Sequence, residues 1–281
     1  VSFPTSCQRL RMGGTVSGSS ITGGTVIESG GIAIASWDGI LGYPGRVGED
    51  APILGRDGAH RNTKTYRERL VNVAFLARDR DATGTIVLPD GRRQHLQVNL
   101  DGIASLIDGA GATVILERDL ADGAGSTVTR WIELEAVEAS TPVRRSALFG
   151  PSHSAYEVVQ QFRAAYPMWQ SETLHTDTLT QAGSPNAVAN AGNGRISNAV
   201  LVFAADSLVT HGTDAATLEI AGSAGAVTVD IGAASITNGG GSADNLLEPP
   251  AQAYWMRLYP GANALTVTGA NVDLSWRDHW L

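Results

Sequence analysis

Between residues 196 and 276 the chain is cut into short apolar or β-branched runs, each bounded by turn-forming residues: 196–204, 216–221, 226–231, 234–237, 255–258, 264–268 and 272–276. Strands of this length at this spacing predict a β-sandwich of about 110 residues. The N-terminal half is punctuated in the same way. Residues 17–36 alternate β-branched pairs with Gly23-Gly24 and Gly30-Gly31, which predicts short strands with turns or bulges at the glycines. The whole chain holds 33 glycines in 281 residues and only 17% charged residues, a composition that suits many short strands joined by tight turns. The predicted fold class is therefore mainly β with one short helix.

Residues 39–59 are rich in glycine, with Pro44 and Pro52, and read as a loop long enough to be functional. Strand character returns over 65–78, where Val71, Val73, Phe75 and Ala77 share one face at period 2. Arg67 and Arg69 extend that parity toward solvent. Turns are expected at 82–84 and at Pro89-Asp90-Gly91, with a strand over 85–89 between them. One helix is expected over 99–108: Leu100, Ile103, Leu106 and Ile107 form an apolar stripe, Asn99 can cap the start and Gly109 can end it. Strands follow at 113–118, 127–137 and 155–164. Composition shifts at Tyr166-Pro167-Met168-Trp169, which places a domain boundary near residue 168: a first domain over 1–168 and a second over 169–281. Residues 181–194 read as a Gly/Asn/Ala/Pro-rich loop.

The function classes narrow by charge and by motif. A net charge of −8 disfavours binding to the outside of a nucleic acid, because phosphate neutralisation supplies most of that affinity. Cys7 is the sole cysteine, so neither an intrachain disulfide nor a thiolate zinc site can form. Residues 1–14 carry no apolar core of signal-peptide type and no stretch approaches 18 apolar residues. The expectation is a chain made in a cytoplasm-like compartment, with no membrane insertion. The histidines show no His-Glu-x-x-His spacing, and no glycine loop completes a dinucleotide- or phosphate-binding signature. No catalytic residue and no cofactor is predicted.

Three local features have a chemical and a structural reading side by side. Residues 79–90 are spaced like a 12-residue calcium loop, with Asp79, Asp81 and Asp90 as carboxylate ligands, Thr83 as a further oxygen and Gly84 at the turn. The same residues suit a hairpin turn opened by Asp and Thr. Glu133/Glu135 and Asp119/Asp122 could flank a glycosidic bond or simply line a solvated strand. Trp255, Trp276 and Trp280 crowd the end of the chain, where they either stack on sugars or plug a sandwich core. A carbohydrate-binding module acting in adsorption to a host surface is the alternative function that follows from the first of these roles.

Phe162-Arg163-Ala164-Ala165-Tyr166-Pro167-Met168-Trp169 resembles the end of the first domain in the distal tail proteins of siphophages, where a strand runs into a Pro-x-Trp corner. Trp255-Met256-Arg257-Leu258-Tyr259-Pro260-Gly261-Ala262-Asn263, followed by an apolar strand, is similar to that family's Trp-x-x-Leu-x-Pro-Gly-x-Asn hairpin. The ending through Trp276-Arg277-Asp278 matches its closing strand. The residues that carry the resemblance are thus Pro167, Trp169, Trp255, Leu258, Pro260, Gly261, Asn263, Trp276 and Arg277. It implies an N-terminal β-barrel or sandwich-like ring domain and a galectin-like C-terminal sandwich. It further implies a structural virion protein at the tail tip, assembled in the host bacterial cytoplasm. There a homo-hexameric ring would join the tail tube protein to the tail-tip hub protein, with DNA only as cargo through the lumen.

Overall fold

The structure is a computed structural model that describes residues 8–17, 20–39, 44, 46–47, 51–52, 59–60, 65–85, 89–108, 114–121, 127–139, 142–144, 155–213, 215–222, 225–246 and 256–281. The chain divides into two compact units, Val1–Ser17 with Ile21–Pro167, and Gly18–Ser20 with Met168–Leu281. Strands dominate both, and antiparallel pairing runs throughout the described residues, so the mainly β class expected from the turn spacing holds.

Unit one contains β1 (Gln8–Ser17), β2 (Ser20–Val26), β3 (Ile32–Asp38), the short strands β4 (Arg46–Val47), β5 (Ala51–Pro52), β6 (Ala59–His60) and β7 (Thr65–Tyr66), then β8 (Arg69–Arg78), helix α1 (Pro89–Asp108), β9 (Val114–Ala121), β10 (Thr127–Ala139), β11 (Val143–Arg144) and β12 (Ala155–Ala164). Its main sheet runs β2-β1-β9-β10-β12-β8-β3, and among the described residues it shows no closure into a barrel. β10 is shared between two neighbours along its length. Thr127–Leu134 pairs with β9, whereas the stretch from Glu135 pairs with β12, and a register shift between Ala136 and Glu138 marks the changeover. A bulge there lets one strand bend from one sheet segment into the next. The core lies on the face built by Leu10, Val71, Val73, Phe75, Leu116, Ile132, Val158 and Phe162.

Two expectations fail within this unit. The helix begins at Pro89, ten residues before Asn99. Proline is well suited to the first helical position because its missing N–H has no intrahelical partner there, so Pro89-Asp90-Gly91 opens a helix instead of a turn. Asn99 then lies inside the helix, buried, and its Nδ2 donates to the carbonyls of Arg78 (2.8 Å) and Arg80 (2.9 Å) at the end of β8. It fastens the helix to the sheet where Ile103 is buried. Asn99→Ala is expected to lower stability by about 2 kcal/mol, read as a fall in the urea midpoint with an unchanged slope. Leu106, Ile107 and Gly109 of the expected stripe and stop lie outside the residues whose side chains are described, as does the expected strand over 86–88. The second failure concerns Arg69, placed toward solvent by parity. It is 4% exposed, because its Nε donates to the carbonyl of Pro167 (3.1 Å) and its Nη1 to that of Gly39 (3.4 Å).

Unit two contains β13 (Trp169–Ser171), β14 (His175–Leu179), β15 (Asn186–Asn190), β16 (Val200–Phe203), β17 (Ser207–His211), β18 (Thr217–Ile220), β19 (Val227–Asp230), β20 (Ser235–Asn238), β21 (Gly241–Ser242), a 3-10 turn (Asp244–Leu246), β22 (Gly261–Gly269), β23 (Val272–Trp276) and β24 (His279–Trp280). Two sheets, β14-β23-β16-β19-β20-β21 and β15-β22-β17-β18, contribute the inward side chains of one core. Leu201, Phe203, Val209, Val227, Val229, Leu265, Val267, Val272 and Leu274 meet there, the alternation expected of a sandwich. β15 is a strand within the stretch expected to be loop. Its inward positions are Asn186, Val188 and Asn190, of which Val188 and Asn190 are fully buried, so only one of the three is apolar and the period is hidden.

Candidate functional site

The residues singled out by the hairpin pattern converge on Asn263. Pro260 and Gly261 turn the chain, and Gly261 takes φ +89°, a conformation that favours glycine. The chain then enters β22, where alternation points Asn263, Leu265 and Val267 inward. Asn263 is 1% exposed and uses its whole side-chain amide. Its Oδ1 accepts from the backbone N–H of Tyr259 (2.7 Å) and from Nε2 of His211 (3.1 Å). Its Nδ2 donates to the carbonyls of Tyr259 (2.9 Å), Gly261 (3.1 Å) and Val188 (3.3 Å). The tautomer of His211 follows, because Nδ1 accepts from the Thr213 N–H (3.3 Å) and leaves Nε2 to carry the proton. Leu258, also buried, bridges Ile196. Trp255 lies outside the described residues.

The tail after β23 is held just as closely. Trp276 is buried, stacks on His175 at 5.3 Å between ring centroids and donates Nε1–H to the carbonyl of Ala189 (3.2 Å). Arg277 donates to the carbonyls of Ser171 and Glu172. Asp278, 6% exposed, accepts from the Ala191 N–H (2.9 Å) and lies 3.0 Å from Nε2 of His175. His279 is fully buried, and its Nδ1 donates to the carbonyl of Arg195 (3.2 Å). Burial pushes its pKa down to about 4, since charging the ring there forfeits its hydration. The loop over 190–195 closes on this tail through Gly192 and Gly194, whose backbones approach the His279 carbonyl too closely for a side chain at Gly192. Trp169, at the other end of the unit, is buried and pairs with Trp280 through β13 and β24. Pro167 contributes the carbonyl that Arg69 binds.

Of the calcium-loop candidates, Asp79, Asp81, Thr83 and Gly84 are described with their side chains, and their own hydrogen bonds are those of a turn. Asp81 Oδ1 accepts from the hydroxyl (2.7 Å) and N–H (2.9 Å) of Thr83 and from the N–H of Thr85 (2.9 Å). The Thr83 hydroxyl, followed by those backbone donors, holds Asp81 below the usual carboxylate range. Asp79 is buried, while Asp90 sits in helix α1 with its side chain outside the description. Among the described residues no three His, Cys, Asp or Glu side chains are grouped to hold a metal ion. Glu133 and Glu135 are exposed on one strand face, and Glu135 is ion-paired to Arg163 at 2.5 Å. Asp122, the partner of Asp119 in the other carboxylate pair, is outside the described residues. Trp276, buried and stacked, is a core plug and not a sugar platform. The arrangement therefore supplies rigid polar clasps in unit two and exposed strand faces in unit one. Sequence reasoning missed His211 and His279, each of which stands on a strand with inward parity, a signal legible only once those strands are known.

These features define a two-domain antiparallel β protein with the fold of phage distal tail hub proteins. The structure matches the SPP1 Dit (gp 19.1) protein, a hub adsorption apparatus component of phages that infect Gram-positive hosts. The TM-score is 0.60 at 14% identity, and the match covers 97% of this chain and 99% of that one. Two phage P2 baseplate structures, in the activated conformation with Ca and with Sr, match with TM-scores of 0.41 and 0.42 at 10% and 9% identity, over 95% and 96% of this chain and 97% and 98% of theirs. No protein-family model matches the chain, and neither does any curated protein.

Proposed function

We propose that this chain is a structural subunit of a phage tail tip, a distal tail protein whose copies close into a hexameric ring between tail tube and tip hub. The observation that carries the reading is the end-to-end match to the SPP1 hub protein, which spans both units and leaves almost nothing of either chain over. Unit one would form the ring and unit two, read as the galectin-like domain, would project from it. DNA would pass through the lumen as cargo, and the acidic balance of the chain is compatible with passage without adhesion. Rings of this kind form by head-to-tail contacts that close, and strand edges are suitable joints for them; among the described residues β2 and β3 end the path of the unit-one sheet. Light scattering on the purified chain tests the reading. The expected mass is six times the 29.3 kDa of one chain. A mass of one chain at every concentration, with and without the cognate tail tube protein, overturns it.

A further inference from the structure

Asparagine followed by glycine is a pair at which a chain can react with itself. With no side chain on the second residue, its backbone nitrogen can approach the asparagine amide carbon closely. The sequence holds this pair twice, at Asn193-Gly194 and Asn238-Gly239, and the fold treats the two differently. Asn193 is held on both sides of the reaction. Its Oδ1 accepts from the N–H of Leu281 (2.9 Å), and the Gly194 N–H that would have to attack donates to the carbonyl of His279 (2.9 Å). Gly194 is also buried, and a Cβ on it would stand 3.2 Å from that same oxygen.

Asn238 is free of such restraint. It ends β20, and Gly239-Gly240 make the two-residue turn into β21, with φ +57° and +87°. Two positive φ values in succession belong to a type I′ hairpin turn. Both glycines are exposed, and beyond their chain neighbours nothing lies within 4 Å of where a Cβ would stand on either. Among the described residues no hydrogen bond holds the Asn238 amide or the Gly239 N–H. β21 has only two residues and ends its sheet, so the hairpin belongs to the part of unit two that opens most easily.

We propose that Asn238-Gly239 is a site of covalent self-modification, deamidated through a succinimide to aspartate and isoaspartate. The Gly239 nitrogen attacks Cγ of Asn238 and forms a C–N bond. The bond from Cγ to Nδ2 breaks, the Gly239 proton passes through water to the leaving nitrogen, and ammonia departs. Water then opens the ring at either carbonyl. Opening at Cγ leaves aspartate with the backbone intact, whereas opening at the α-carbonyl leaves isoaspartate, whose backbone runs through the side chain. Either product adds a negative charge to a chain of net charge −8. Isoaspartate also disturbs the ladder in which Asn238 opposes Val227 on one side and Gly241 on the other. The lengthened backbone spoils the register, so β21 leaves the sheet and β20 becomes its edge.

Ageing the full chain in warm, mildly alkaline buffer tests this. Anion exchange is expected to show forms of raised negative charge, and peptide mapping by mass spectrometry is expected to place the change at Asn238. Modification there is expected to outrun that at Asn193 by about tenfold or more, a ratio equivalent to about 1.4 kcal/mol of extra opening in the 193 loop. In urea, where neither restraint survives, the two sites are expected to react at similar rates. Asn238→Gln, whose longer side chain would have to close a larger ring, is expected to stay a single species, with far-UV circular dichroism confirming its fold. Modification that gathers first at Asn193, or equally at both sites of the folded chain, overturns the inference. So does an Asn238→Gln chain that turns acidic as fast as wild type, or a folded wild type that stays intact while the urea-treated chain reacts.

Discussion

Asn263→Ala is expected to be the most damaging single change in unit two, costing about 3 kcal/mol or more. The magnitude follows from what is left behind. Truncation strands the buried Nε2–H of His211 and the Tyr259 N–H, and it withdraws the donor from the carbonyls of Tyr259, Gly261 and Val188. Buried polar groups deprived of partners cost more than the hydrogen bonds contributed on average. Asn263→Asp separates the two halves of the effect, because it keeps the accepting oxygen and loses the donating nitrogen. Urea unfolding of the whole chain, followed by tryptophan fluorescence, measures both. An Ala variant within experimental error of wild type would show that the hairpin is held by its apolar neighbours alone.

Acidification is the second large effect. His279 stays neutral in the folded chain down to about pH 4, while an unfolded histidine takes up its proton near pH 6.5. Between those values the unfolded chain binds a proton that the folded chain does not, so stability falls as pH falls through this window. At about 1.4 kcal/mol per pH unit the loss is about 3 kcal/mol by pH 4, and above about pH 6.5 this residue contributes no slope. The loss is expected in the tail strand and the loop over 190–195 that it touches. His279→Gln is expected to flatten the dependence in that window, since the amide cannot titrate. Unfolding midpoints between pH 4 and 8 report it. A wild-type curve flat from pH 6.5 to 4.5 would contradict the buried neutral imidazole.

How much was legible in the sequence depends on what faces the core. Where inward positions are apolar the strands announce themselves: Val71, Val73 and Phe75 in β8 are expected and observed on one buried face, and the strand expected over 272–276 is β23, with Val272, Leu274 and Trp276 buried. Where inward positions are polar they do not. β15 turns Asn186 and Asn190 inward, and β17 turns Ser207 and His211 inward around Val209, so a hydrophobic period is absent from both. The hydrogen bonds that make those side chains tolerable inside come from residues far away in sequence, such as Asn263 for His211, and no local window contains them. Helix α1 fails for a different reason, since Pro-Asp-Gly signals a turn or a helix start equally well. Arg69 fails because its acceptors, Pro167 and Gly39, are brought to it only by the fold.

The candidate site was legible in part for a related reason. Residues named by the tail-protein resemblance, among them Leu258, Gly261, Asn263, Trp276 and Arg277, fall at the turn and tail that hold unit two closed. A turn and its buried amide constrain sequence tightly, which is why such residues can be picked out locally.

Negative-stain electron microscopy of the assembled chain tests the proposed ring. Six-fold rings are expected, with a central opening wide enough for duplex DNA and the second unit of each copy projecting outside the ring. Particles that average to single chains, or to closed discs with no opening, would contradict it.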